Sequence, residues 1–145
     1  RIPVSKIDNV INFINNSNIS LPLYSSKVPA GFPSPADDHM EGKLDLNTHL
    51  IKHPTATFFV KASGESMLGA GIHDGDILVV DRSLEPRQGR VVIAAVDGQL
   101  TVKRLQKKGS KTFLVPENKK FRSIELSENN DVMIWGVVTN VIHKV

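Results

Sequence analysis

The sequence contains no cysteine. Disulfide bridges and thiolate metal centres are therefore excluded, and a reducing compartment is permitted. Long apolar runs are missing as well. The longest, Val91-Val92-Ile93-Ala94-Ala95-Val96, has the length of a buried strand and falls far short of a bilayer crossing. No secretory signal is evident, so no membrane association is expected. Aromatic residues are scarce, at 6% of the chain, and do not alternate with the basic residues as a base-stacking surface would require. There is no phosphate-cradling glycine loop, no internal repeat and no low-complexity segment.

What is present is an ordinary globular composition. The 145 residues are 40% apolar and 23% charged, enough for one sizeable core but not for two folded domains. The net charge of +3 arises mainly from Lys103, Arg104, Lys107, Lys108, Lys111, Lys119, Lys120 and Arg122. A nucleic-acid footprint and a solvated hairpin face both fit such a cluster, and the missing aromatics favour the second.

Near the start, Ser5 and Asp8 form a variant capping box, and Ile7, Val10, Ile11 and Ile14 fall at helical spacing. A short amphipathic helix over about residues 5–15 is expected. Residues 19–37 read as an extended linker, because four prolines forbid a regular helix. A second short helix is expected from Asp45-Leu46-Asn47 to about Ile51. From Thr55 onward the pattern is β. Thr57 to Ala62, Ile77 to Asp81, Arg90 to Val96, Gln99 to Gln106, Thr112 to Val115 and Asp131 to Ile142 read as strands. Asp97-Gly98 between two apolar runs signals a type I′ hairpin. The fold class is mostly β: a compact body of short strands and hairpins behind an extended arm that carries a short helix.

Two residues stand out chemically. Ser66, in Gly64-Glu65-Ser66-Met67, sits on a tight turn that could expose its hydroxyl and aim backbone N–H groups at an oxyanion. Ordinary turn chemistry explains the same residues. Lys103 faces Val92 across the expected hairpin and shares a strand face with Thr101 and Leu105, while Arg104 points the other way toward solvent. If the Leu105 face is buried, desolvation lowers the Lys103 pKa and makes it a candidate base. If Val102 marks the inner face, Lys103 is an edge lysine with a snorkelling head. A Ser66–His73 pairing is also open by chain order alone. His39, His49, His53, His73 and His143 show no metal spacing, and Asp74-Gly75-Asp76 reads as a turn rather than a calcium loop. No cofactor or metal is expected.

Several segments together resemble the UmuD family, relatives of the LexA-type self-cleaving repressors. They are Gly31-Phe32-Pro33-Ser34-Pro35-Ala36, Asp45-Leu46-Asn47, His53-Pro54-x-Ala56-Thr57, Phe59 through Met67, Asp74-Gly75-Asp76, Ile93 through Gly98 and Thr101-Val102-Lys103. The match runs from about Leu21 onward. The resemblance implies a LexA/UmuD-like β-body with a Ser–Lys dyad, Ser66 as nucleophile and Lys103 as general base and acid, cutting the chain's own Ala30–Gly31 bond. Residues 1–30 would be an arm shed by that cut and residues 31–145 the peptidase-like domain. It further implies stimulation by the RecA–single-stranded DNA filament, a bacterial cytoplasmic setting, and a homodimeric product. That product would serve a Y-family, UmuC-like polymerase subunit in error-prone translesion synthesis. Leu21-Pro22-Leu23-Tyr24 loosely resembles an arm segment associated with the sliding clamp, and an apolar arm packing on the body explains it equally. The arm is longer than in the best-known members. The rival reading is the C-terminal part of a LexA-like repressor, whose DNA-binding domain of roughly 60 residues would lie outside this chain.

Overall fold

A computed structural model describes residues 19–25, 27–33, 35 and 39–145, so the helix expected over 5–15 lies outside the described residues. The chain divides into two compact units, residues 1–49 and 50–145.

In the first unit, β1 (Leu21–Tyr24) pairs antiparallel with β2 (Met40–Leu44), Leu21 opposite Leu44. This corrects the reading of residues 19–37 as linker throughout. Pro22 is tolerated because β1 lies at an edge, where a missing N–H removes no necessary ladder bond. Helix α1 (Leu46–Leu50) follows close to its expected span. Asp45 Oδ1 accepts the N–H groups of Asn47 at 3.0 Å and Thr48 at 3.4 Å, an N-cap of the usual kind.

The second unit is built on one antiparallel sheet. Its strands are β3 (Thr57–Lys61), β4 (Ile77–Asp81), β5 (Val91–Val96), β6 (Gln99–Lys108), β7 (Lys111–Val115), β8 (Ile124–Leu126) and β9 (Val132–Ile142). Their order is β3-β4-β9-β5-β6-β7-β8. The mostly β expectation holds, and of these strands only the three-residue β8 was not anticipated. The β5–β6 hairpin has the predicted register, with Val96 opposite Gln99 and Val92 opposite Lys103. Asp97 (φ 49°) and Gly98 (φ 81°) are both left-handed, as a type I′ turn demands.

Strand β9 is irregular in a useful way. Its register slips against β5 between Ile93 and Ala94, leaving Trp135 unpaired, and against β4 between Val79 and Val80, leaving Thr139 unpaired. Such bulges increase local bend and twist. Gly136 lies between them, where a Cβ would stand 2.7 Å from Val80 Cγ1 and 3.1 Å from the Asp81 carbonyl oxygen. Only glycine lets β9 approach β4 this closely. The sheet coils enough that Val60 of β3 and Val102 of β6, four pairings apart, pack on one cluster with Met67, Ile72, Leu78, Val80 and Ile93. A second cluster holds Val92, Ala94, Leu105, Leu114 and Val137.

Strand β6 therefore carries core on both faces, Val102 on one and Leu105 on the other. The two sequence readings of this strand were not alternatives. Leu114 is fully buried beside Leu105, its cross-strand partner. Leu114→Ala should lower unfolding free energy by about 3 kcal/mol, through lost transfer energy and a residual cavity. Urea denaturation measures this; a loss below about 1 kcal/mol would show that the site collapses to fill the gap.

Candidate active site

Ser66 lies in the turn between β3 and a short 3₁₀ segment, Leu68–Ala70. The turn is held on two sides. On one side, Asp74 Oδ1 accepts the Gly64 N–H at 2.8 Å, Asp76 carbonyl oxygen accepts the Ala62 N–H at 2.8 Å, and Gly75 donates back to the Ala62 carbonyl at 2.8 Å. Asp74-Gly75-Asp76 is thus a turn, as expected, and one that braces the Ser66 segment. On the other side, the Glu117 N–H donates to the Ser66 carbonyl at 2.8 Å. The Gly69 N–H donates to the Glu117 carbonyl at 2.8 Å, and Asn118 Nδ2 donates to the Glu65 carbonyl at 2.9 Å.

Arg104 completes this brace. Its Nε donates to Glu117 Oε1 at 2.5 Å and its Nη1 to the Gly89 carbonyl at 2.6 Å. Arg104 was expected to serve solvent; it instead ties β6 to the segment behind Ser66. The basic cluster is accordingly not one solvated face. Lys107, Lys108, Lys111, Lys119, Lys120 and Arg122 are exposed, whereas Lys103 and Arg104 are committed inward.

Lys103 is 8% exposed. Its Nζ donates to Ser66 Oγ at 3.1 Å, to Thr101 Oγ1 at 2.7 Å and to the Val102 carbonyl at 3.1 Å. Among the described residues no carboxylate forms an ion pair with it. Desolvation consequently pushes its pKa below the ordinary lysine value. The three acceptors match the three protons of an ammonium. Once one proton is lost, Thr101 Oγ1 and the Val102 carbonyl can hold the remaining two, which leaves the lone pair for the Ser66 hydroxyl.

Beside this pair lies a cleft of about 220 Å³, lined by Val60, Ala62, Leu78, Ile93, Leu100 and Val102 together with Ser66 and Lys103. It offers apolar walls to a short peptide stretch. No acceptor among the described residues takes the backbone N–H of Ser66 or Met67, so both can donate to a developing oxyanion.

The structure brings Ser66 and Lys103 together across 37 residues of chain. It does not bring His73 to Ser66; the His73 ring lies against Asp76 and His143 instead. Ala30 and Gly31 are exposed in the first unit. Leu21, Pro22, Leu23 and Tyr24 are exposed along β1. Sequence reasoning missed Glu117 and Asn118, because backbone-mediated bracing leaves no residue-type signature. It also missed the convergence of His73, Asp76 and His143, whose ligand atoms lie within 4.8 Å of one another.

A serine hydroxyl within hydrogen-bond reach of a desolvated lysine is a geometry open to nucleophilic chemistry. The chain belongs to the Peptidase S24-like family, whose model matches residues 22–139. It is 50% identical over 123 residues to Protein SamA of Salmonella typhimurium strain LT2, covering 85% of both chains. It is 49% identical over 124 residues to Protein ImpA of Escherichia coli (85% of this chain, 83% of the relative). It is 44% identical over 122 residues to Protein MucA of the same species, covering 83% of each. The resemblance to the UmuD family read from the sequence stands with these relatives. Among the described residues no helix is long and apolar enough to cross a membrane.

Proposed function

We propose that this chain is a self-cleaving Ser–Lys peptidase that cuts its own Ala30–Gly31 bond, and that the product is a dimeric accessory subunit of an error-prone Y-family polymerase. The observation that carries the catalytic part is the 3.1 Å contact between Ser66 Oγ and a buried Lys103 Nζ with no counter-ion among the described residues. Neutral Lys103 takes the Ser66 proton as the hydroxyl oxygen bonds to the Ala30 carbonyl carbon. The Ser66 and Met67 N–H groups hold the oxyanion. Lys103 then gives its proton to the Gly31 nitrogen as the Ala30–Gly31 bond breaks. Water, deprotonated by Lys103, finally releases Ala30 from Ser66. Thr101 orients the amine throughout, which makes it a positioning residue.

Tethering makes the substrate concentration effectively high, so the arm must dock productively only in a minor state. A RecA–single-stranded DNA filament that favours that state would act as the trigger in the SOS response, in the bacterial cytoplasm. The cut has a structural consequence. It separates β1 from β2, so the β2 edge loses its covalently linked partner and becomes available for pairing. In the intact chain the exposed Leu21-Pro22-Leu23-Tyr24 strand is the segment a sliding clamp would meet.

The relatives favour this reading over a LexA-like repressor. SamA is matched over 85% of its length, which leaves no room in it for a separate DNA-binding domain of roughly 60 residues. The test is mass spectrometry after incubation with an activated recombinase filament or at alkaline pH. A fragment beginning Gly31-Phe32-Pro33 is expected. An intact chain under both conditions, or a cut elsewhere, would refute the self-cleavage site.

A further inference from the structure

The turn that braces the Ser66 segment carries a second cluster with its own chemistry. Asp76 is 4% exposed, and its carboxylate faces two imidazoles, one from the same turn and one from just beyond β9. His143 Nδ1 lies 2.6 Å from Asp76 Oδ1. His73 Nδ1 lies 3.7 Å from Asp76 Oδ2, while the His73 backbone N–H already donates to that oxygen at 2.8 Å. The two rings stack with centroids 4.5 Å apart and planes tilted by 31°.

Hydrogen bonding explains only half of this. The 2.6 Å contact is a hydrogen bond, but 3.7 Å is too long for one. The His73 ring is turned toward the carboxylate without bonding to it. Two ligand atoms that share one tetrahedral ion, each about 2.1 Å from it, stand about 3.4 Å apart. The His73–Asp76 separation is close to that value. Taken one per residue, the ligand atoms of all three side chains lie within 4.8 Å of one another, and the two exposed rings can draw in to close the remaining gap. The rings are 49% and 42% exposed, which leaves the outer coordination positions open to water.

We propose that His73, Asp76 and His143 bind a divalent transition-metal ion, with zinc as the occupant that best fits two imidazoles and one carboxylate. Hard cations such as magnesium and calcium prefer all-oxygen sets, and soft ones would seek the thiolate sulfur this chain lacks, having no cysteine. Binding releases the Nδ1 proton of each ring that carries one. The ion would tie the end of β9 to the Asp74–Asp76 turn, whose groups hold Gly64 and Ala62 just ahead of Ser66. The site is separate from the dyad and does not depend on cleavage.

The experiment uses the full chain after treatment with a chelator. Titration with zinc chloride, followed by calorimetry, should show one ion per chain, and cobalt chloride should give visible bands of a low-coordinate site. Zinc should also raise the thermal unfolding midpoint, because the ion binds only the folded state. His73→Gln and His143→Gln, both at exposed rings, should each weaken binding by about tenfold or more and abolish the midpoint shift. His49→Gln, in the first unit, should change neither. Absence of zinc binding, or binding that either His73→Gln or His143→Gln leaves undiminished, would overturn the proposal.

Discussion

Ser66→Ala and Lys103→Ala will each reduce release of the fragment beginning Gly31 by about a thousandfold or more, because the proposed nucleophile and base would act as a unit. The two losses should not add in the double variant. Lys103→Arg is the sharper test of mechanism. Arginine keeps the charge and much of the stem but does not give up its proton in a protein. A charge that merely positions Ser66 would survive this change in part; a base would not. Lys103→Arg that cleaves within about tenfold of the parent would eliminate the base role. Folding of each variant is checked by its urea transition, since Lys103 is buried and its neighbours pack on both faces of β6.

The second large effect is the pH profile. Burial holds the Lys103 ammonium below the ordinary value of 10.5, and only the neutral amine can take the Ser66 proton. Below the lowered pKa, the cleavage rate should climb by about tenfold per pH unit and then level off. A rate flat from acid to alkaline pH would remove Lys103 from the mechanism. Stability follows the same group with a definite sign. Between the lowered folded pKa and 10.5, the unfolded chain binds more protons at this lysine than the folded chain does. Unfolding free energy from this group therefore rises with pH across that window. The buried acids work at the other end. Asp76 is lowered chiefly by the His73 N–H. Asp81 is raised by its burial but lowered more by Ser83 and His53, which lie 2.6 Å from its carboxylate. Their contribution to stability is lost as pH falls through their lowered pKa values. Alkaline incubation thus deprotonates Lys103 while both carboxylates stay ionised.

The parts of this molecule that local rules govern were legible from the residues. Asp97-Gly98 dictates a two-residue type I′ turn, and once that turn is set every cross-strand neighbour follows, Val92 opposite Lys103 included. Asp45 caps α1 because its carboxylate reaches the N–H groups two and three residues on. What misled was the assumption that a proline-rich segment stays unpaired. Leu21–Tyr24 finds a partner in Met40–Leu44, and pairing depends on both strands, not on the composition of one. The burial of Lys103 was also undecidable from β6 alone. Alternation distinguishes two faces but cannot say that a coiled sheet covers both.

The family match, the β class, the hairpin register and the identity of Ser66 and Lys103 as the residues to watch were determined by the sequence itself. Each rests on contacts between near neighbours or on a motif with fixed spacing. Only the tertiary structure decided that Lys103 Nζ stands 3.1 Å from Ser66 Oγ, that Glu117 and Arg104 brace the Ser66 turn, and that His143 meets His73 and Asp76. Those juxtapositions join segments 13 to 70 residues apart. The same sheet carries two bulges in β9 and one close approach at Gly136, whose consequences for curvature appear only when the whole sheet is assembled.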